Sequence, residues 1–259
     1  MLAGVTLALG CIVRPIGPVV VAGIIVFGLL IKFWKQHNYQ SSLKILATLA
    51  IYFLLFSLAG WGIKASGINE YGLSNRDSEW KFVTGLNYDS NGAYSPDLNR
   101  FIDPSKSRNE MNNVEKAQVK RERTFLNQHH SWLRLFVNKT QLLWSSRTMA
   151  TDSTNFNLNH SQKTFDLVNY SAYIGSIILI IFSWIGSLEL FKTKFSDNLY
   201  LLLLPLMALA VVQLLIEVQG RYRIEFLPVI AIIGSLGLYK SIELIRSFAP
   251  KEKESLNLE

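Results

Sequence analysis

The chain has 259 residues, 49% of them hydrophobic and 17% charged, and a positive mean hydropathy. Soluble domains of this length carry about a quarter charged residues, so the composition argues for a membrane protein. The net charge of +7 does not indicate nucleic acid, because the basic residues flank apolar runs instead of clustering on one soluble face. The single cysteine, Cys11, excludes an intramolecular disulfide, a zinc cluster and a redox pair.

Six apolar segments follow one another along the chain: 2–13, 16–34, 45–63, 170–190, 199–216, and 226–239 with an extension toward 245. Most approach the length of about 20 residues that a helix needs to cross a hydrocarbon core of roughly 30 Å. Backbone groups in lipid must be satisfied internally, so these segments are helices. The first is short, about 18 Å if helical, and no basic leader of a signal peptide precedes it, since the first positive side chain is Arg14. It reads either as a re-entrant helix or as the end of a helix that was longer in a parent protein. Pro15 and Pro18 suit the first turn of a helix, and Pro205 and Pro228 are read in the same way near later helix starts.

Short basic links set the orientation. Lys32, Lys35 and Lys44 surround the link between the second and third segments, Lys192 and Lys194 follow the fourth, and Arg246, Lys251 and Lys253 lie in the tail. Counting crossings puts all three on one side, the cytoplasm, and leaves the long loop, the Arg14 turn and the Arg221–Arg223 turn outside. The chain divides accordingly into membrane helices over 1–63, an extracytoplasmic loop domain over 64–169, membrane helices over 170–247 and a cytoplasmic tail over 248–259. The fold class is an all-α integral membrane protein with five to six transmembrane helices and one large, helix-containing loop.

Within that loop, Asn91-Gly92 signals a tight turn. Ser95-Pro96-Asp97 looks like a helix start, and 109–144 suits one long helix or two. Trp132, Phe136 and Leu143 recur at helical spacing as an apolar stripe, to be covered by the membrane domain or by the lipid interface. His129 and His130 are adjacent and would point to different faces of a helix, which is poor metal geometry. Asn138, Asn159 and Asn169 each begin a glycosylation-type triplet, as chance allows in an Asn-rich loop. Asp89, Asp97, Asp103 and Asp152 are scattered, so no catalytic acid–base pair can be assigned. Gln213 is the nearest thing to a polar residue deep in a span.

The segment 217–225, EVQGRYRIE, joins the last two apolar runs. Two arginines among carboxylates at a membrane surface suit phosphate, which the planar guanidinium fork matches. An interfacial salt-bridge turn anchored by Tyr222 explains the same residues. Arg14 falls on the same side by the crossing count, so Arg14, Arg221 and Arg223 together form a candidate site for the phosphate of a lipid-linked donor.

The order of these features resembles polytopic glycosyltransferases of the GT-C superfamily, of the protein-mannosyltransferase and aminoarabinose-transferase type. The likeness lies in Ala3 to Gly10 followed by Arg14-Pro15, in Trp80-Lys81-Phe82 with Gly85-Leu86-Asn87 through Ser90-Asn91-Gly92, in Phe136 to Lys139 with Leu143-Trp144, and in Glu217 to Arg223 entering Phe226-Leu227-Pro228. It implies inverting transfer of a sugar from a polyprenyl-phosphate donor to a cell-envelope acceptor outside the cell. Arg14, Arg221 and Arg223 would then contact the donor phosphate, and Glu217 and Tyr222 would line the cavity. In that family the acidic first outer loop precedes the glycine-spaced helix, where this chain begins. The resemblance therefore implies the C-terminal portion of a transferase, truncated or split from an upstream-encoded half. The catalytic residue stays unassigned, and any divalent metal belongs to the complete enzyme. A non-catalytic membrane subunit or remnant with a binding or scaffold role stands as the alternative, and a transporter is disfavoured by the lack of internal repeats.

Overall fold

The computed structural model describes residues 2–14, 16–148, 150–151, 156, 160–192 and 195–248. Among these the secondary structure is helical, with no strand, and five helices are long and apolar enough to cross a membrane. Pro15, Asp152, Asn159, Lys194, Lys251 and Lys253 lie outside the described residues.

The chain separates into two compact units, one of Met1–Ser146 with Asp197–Tyr222, the other of Arg147–Ser196 with Arg223–Glu259. In the first unit, α1 spans Leu2–Val13 and α2 spans Gly17–Val26, with Pro18 in the first turn as expected. From α2 the chain widens into a π-helix over Phe27–Lys35 and stops at His37, whose φ is 50°. Asn38 then caps α3 (Tyr39–Ala65) by accepting from the Ser41 amide at 2.9 Å. Small residues set the helix contacts: a Cβ at Gly4 would press on the Thr48 carbonyl, and one at Gly23 on the backbone of Pro205.

The loop contributes α4 (Trp80–Leu86), a 3-10 turn over Pro96–Phe101, α5 (Arg108–Gln128) and α6 (Trp132–Ser145). A capping box between Ser107 and Glu110 starts α5. The expected 109–144 helix is thus two helices, and the histidines are the break: His129 ends α5, and His130 has a φ of 50°. The buried face of α6 also differs from the expected stripe. It is Leu135, Lys139 and Leu143, whereas Trp132 and Phe136 stay half-buried. Leu86, Leu126 and Leu135 form the apolar core joining α4, α5 and α6. Two carboxylates on α5 hold α4 at both ends: Glu115 accepts from the Glu79 amide at 2.9 Å, and Glu122 accepts from the Asn87 side chain at 3.2 Å.

After a short 3-10 turn at Asp197–Leu199, α8 (Tyr200–Leu215) completes this unit. Pro205 lies inside α8 and not at its start. The ring costs one backbone hydrogen bond and faces the Cβ-less surface of Gly23. Lys32 donates to Asn198 at 2.7 Å and Lys35 to Asp197 at 2.7 Å. The π-helix that continues α2 therefore meets the 3-10 turn that leads into α8, and the two spans run antiparallel.

In the second unit, α7 (Gln162–Lys192) packs along α9 (Leu227–Phe248). Helix α7 begins eight residues before the apolar segment, and Asn169 is buried within it, accepting from Thr151 at 3.0 Å. That burial removes Asn169 as a glycosylation acceptor. Added Cβ atoms at Gly186 and Gly237 would overlap the Ile233 and Phe182 carbonyls across the helix pair, the small-residue packing that lipid favours.

Candidate functional site

The site begins with a backbone junction. Beyond α8 the chain is extended, and Ile216, Glu217 and Val218 run through a cradle made by α4 and the turn after it. The Glu217 amide donates to the Lys81 carbonyl at 2.8 Å and the Val218 amide to the Gly92 carbonyl at 2.9 Å. Gly85 lies so near Ile216 and Glu217 that a Cβ there would overlap their backbone, and Gly92 adopts a φ of 72° that a glycine accepts without strain. The segment Gly85 to Gly92, read from sequence as a turn, is thus the floor on which the Glu217 segment rests.

Lys139 closes the cradle from α6. Its side chain is buried, and its ammonium donates to the carbonyls of Gly85 and Leu214 at 2.8 Å each and of Ile216 at 2.7 Å.

This junction aims Glu217 and residues 220–222, which open the following 3-10 turn, at the start of α4 and the α1–α2 turn. Lys81 lies 2.9 Å from Glu217 and 3.3 Å from the Tyr222 hydroxyl. Glu217 is 4% exposed and also accepts from the side-chain amide of Gln219. Arg14, Lys81 and Arg221 each approach the Tyr222 ring, with the charge-bearing atom 5.7 Å from its centre. No two of these charges are then more than about 11 Å apart, a separation at which like charges near a protein surface repel by about 1.5 kcal/mol per pair or more. Cation–π attraction and the Glu217 carboxylate, paired with Lys81, offset part of that cost. Burial draws the Lys81 ammonium downward, but the hydrogen bond and charge of Glu217, with Tyr222, outweigh it and raise the pKa above the ordinary lysine value.

Of the residues singled out by sequence, Arg14, Glu217, Arg221 and Tyr222 meet in this cluster. Arg223 belongs to the second unit, where it is 1% exposed and lies 5.9 Å from the Tyr173 ring, with Arg147 at the same distance. Burial lowers its pKa, though a guanidinium remains charged. Lys81 and Lys139 were not anticipated as site residues. Lys81 stood inside a motif noted for its tryptophan, and Lys139 on a helix whose buried stripe was drawn through Trp132 and Phe136 instead of Leu135 and Lys139. Among the described residues no group of three or more His, Cys, Asp or Glu is disposed to hold a metal ion.

The architecture and cluster define a helical membrane protein with a basic, aromatic-centred site at the ends of apolar helices. Comparison with family models, with curated proteins and with solved structures finds no match.

Proposed function

We propose that the Tyr222 cluster binds the phosphate of a polyprenyl-linked sugar, and that the chain is a membrane glycosyltransferase. In this reading the sugar passes to a cell-envelope acceptor on the outer side of the membrane. The observation that carries it is the gathering of Arg14, Lys81 and Arg221 around one tyrosine at the ends of apolar helices. A phosphate there would meet three cationic side chains within reach of one ring, while the lipid chain would follow the helices. Arg223, which belongs to the second unit, is a separate candidate for phosphate contact. The reaction class rests on the resemblance of the motifs, several of which act together here: Gly85 and Gly92 form the cradle, and Glu217 to Tyr222 the site.

The outer location of the loop rests on the basic links. The ties from Lys32 and Lys35 to Asn198 and Asp197 support a common cytoplasmic side for the first two links. A second reading, a binding subunit without its own catalysis, draws on Glu217: this carboxylate is engaged by Lys81 and Gln219 and is poorly placed to act as a base.

Equilibrium binding of a polyprenyl phosphate to the protein in lipid nanodiscs tests the site. Arg14→Ala and Arg221→Ala are each expected to weaken binding about tenfold, the order of one charge-assisted contact. Arg223→Ala tests the second unit separately. Unchanged affinity in the first two variants would refute a phosphate site at Tyr222.

A further inference from the structure

Lys139 is the most deeply buried amine of the loop helices, at 1% exposure. Its three hydrogen bonds match the three N–H groups of an ammonium. A neutral amine has two N–H groups and a lone pair, so deprotonation must leave one of the three carbonyls without a donor. Those carbonyls belong to α4 and to the end of α8, and the next amides, of Glu217 and Val218, are the ones held by the cradle. Glu217 in turn holds Lys81, and the 3-10 turn with Tyr222 follows within a few residues.

We propose that Lys139 is a positioning residue for the Tyr222 cluster: its proton fixes the 214–218 segment in a three-point grip, and loss of that proton loosens the segment and weakens capture of a lipid phosphodiester. This rests on reading the cluster as a lipid-phosphate site. By linkage, an occupied site would hold the Lys139 proton more tightly.

The geometry operates in an accessible pH range. Burial pushes the Lys139 pKa down to about 7. The elements around it carry Lys81 on α4, Tyr88 and Asp89 in the following turn, Glu122 on α5, Arg134 on α6 itself, and Glu217 beyond α8. None of these is a histidine, and none is a hydrogen-bond partner of the Lys139 amine.

Fold stability moves in the opposite direction. The native pKa lies below the value of about 10.4 for an unfolded lysine, so this group adds stability as pH rises from about 7 toward 10.4. The grip weakens over the lower part of the same range. A lysine with a purely structural role would move stability and binding together.

The test uses methyl farnesyl phosphate, a phosphodiester of constant charge, titrated into the full chain in nanodiscs from pH 6 to pH 9. Hydrogen exchange of the Glu217 and Val218 amides, corrected for intrinsic rates, is read in the same samples. In the wild type, affinity is expected to fall at least fivefold across the range, with amide protection falling in parallel. In Lys139→Met both become independent of pH, at or below the wild-type level at pH 9. A variant that keeps the wild-type pH profile overturns the proposal. If the variant does not fold, flat exchange in the wild type overturns it equally. Exchange that titrates while the probe binds at no pH would retain the grip but reject the lipid-phosphate reading, and with it the regulation of capture.

Discussion

Lys81 and Glu217, 136 positions apart in sequence, form a 2.9 Å ion pair whose ammonium also reaches the Tyr222 hydroxyl at 3.3 Å. The Lys81 side chain is 51% exposed and that of Glu217 is 5% exposed, so the carboxylate is locked in place while the cation faces solvent. Such a pair contributes modestly to stability, on the order of 1 kcal/mol or less. Its larger effect is on charge, because Glu217 cancels part of the field that an incoming anion would meet.

Glu217→Gln is therefore expected to cost about 1 kcal/mol or less in denaturation and to raise affinity for a lipid phosphate, by roughly threefold or more. Binding isotherms and thermal melts of the same preparations check both. The Lys81 pKa is raised, so its contribution is present below the ordinary lysine value and is lost only as pH rises through the raised one. This pair should stay unchanged between pH 6 and pH 9, where Lys139 titrates.

The cradle makes a sharper demand at Gly85 than its surface-loop sequence implies. A Cβ there meets backbone atoms of Leu215, Ile216 and Glu217, which have no rotamer by which to yield. Gly85→Ala should destabilise the first unit by about 2–3 kcal/mol, read as a lowered melting temperature. Gly62→Ala on α3, where a Cβ meets nothing within 4 Å, should be neutral or slightly stabilising.

A parallel contrast applies to the second unit. Gly237→Ala sets a methyl group against the Phe182 carbonyl, whereas Gly175→Ala on the same helix pair meets open space. Only the first should lower the temperature at which α7 and α9 separate, measured by cross-linking of engineered cysteines or by melting in detergent.

Glu115 yields a pH-dependent expectation. Burial raises its pKa, against the lowering effect of the Glu79 amide that it accepts, and its second oxygen has no hydrogen-bond partner. A native pKa above the unfolded value means that the fold binds this proton more readily. The group's contribution to stability is then fully present below the ordinary glutamate pKa and falls away as pH rises through the raised value. Glu115→Gln keeps an acceptor for the Glu79 amide and removes the buried charge. It should melt at or above the wild-type temperature at pH 7, with the difference closing near pH 4.

The apolar segments were legible because lipid imposes a length and an uninterrupted composition on each span, and the helices Leu2–Val13 and Gly17–Lys35 fall within a residue of the runs that announced them. Polar helix extensions were not legible: α3 starts at its Asn38 cap and α7 at Gln162, where hydropathy carries no signal. Arg14, Glu217, Arg221 and Tyr222 were found because arginine at an apolar helix end is conspicuous. Lys139 was hidden, since a lysine on an amphipathic helix is ordinarily solvated. Its burial depends on carbonyls 54, 75 and 77 positions away. Pro205 was misplaced for a similar reason, because the gap that admits it is made by Gly23 on another helix.

The most direct measurement is photocross-linking with a polyprenyl phosphate carrying a diazirine beside its phosphate, in nanodiscs, with adducts mapped by peptide mass spectrometry. The account predicts adducts in the α1–α2 turn around Arg14, at the start of α4 around Lys81, and in the Arg221–Tyr222 turn, all suppressed by excess unlabelled polyprenyl phosphate. Adducts confined to other helix ends, or labelling of these three segments that unlabelled lipid does not suppress, would contradict it.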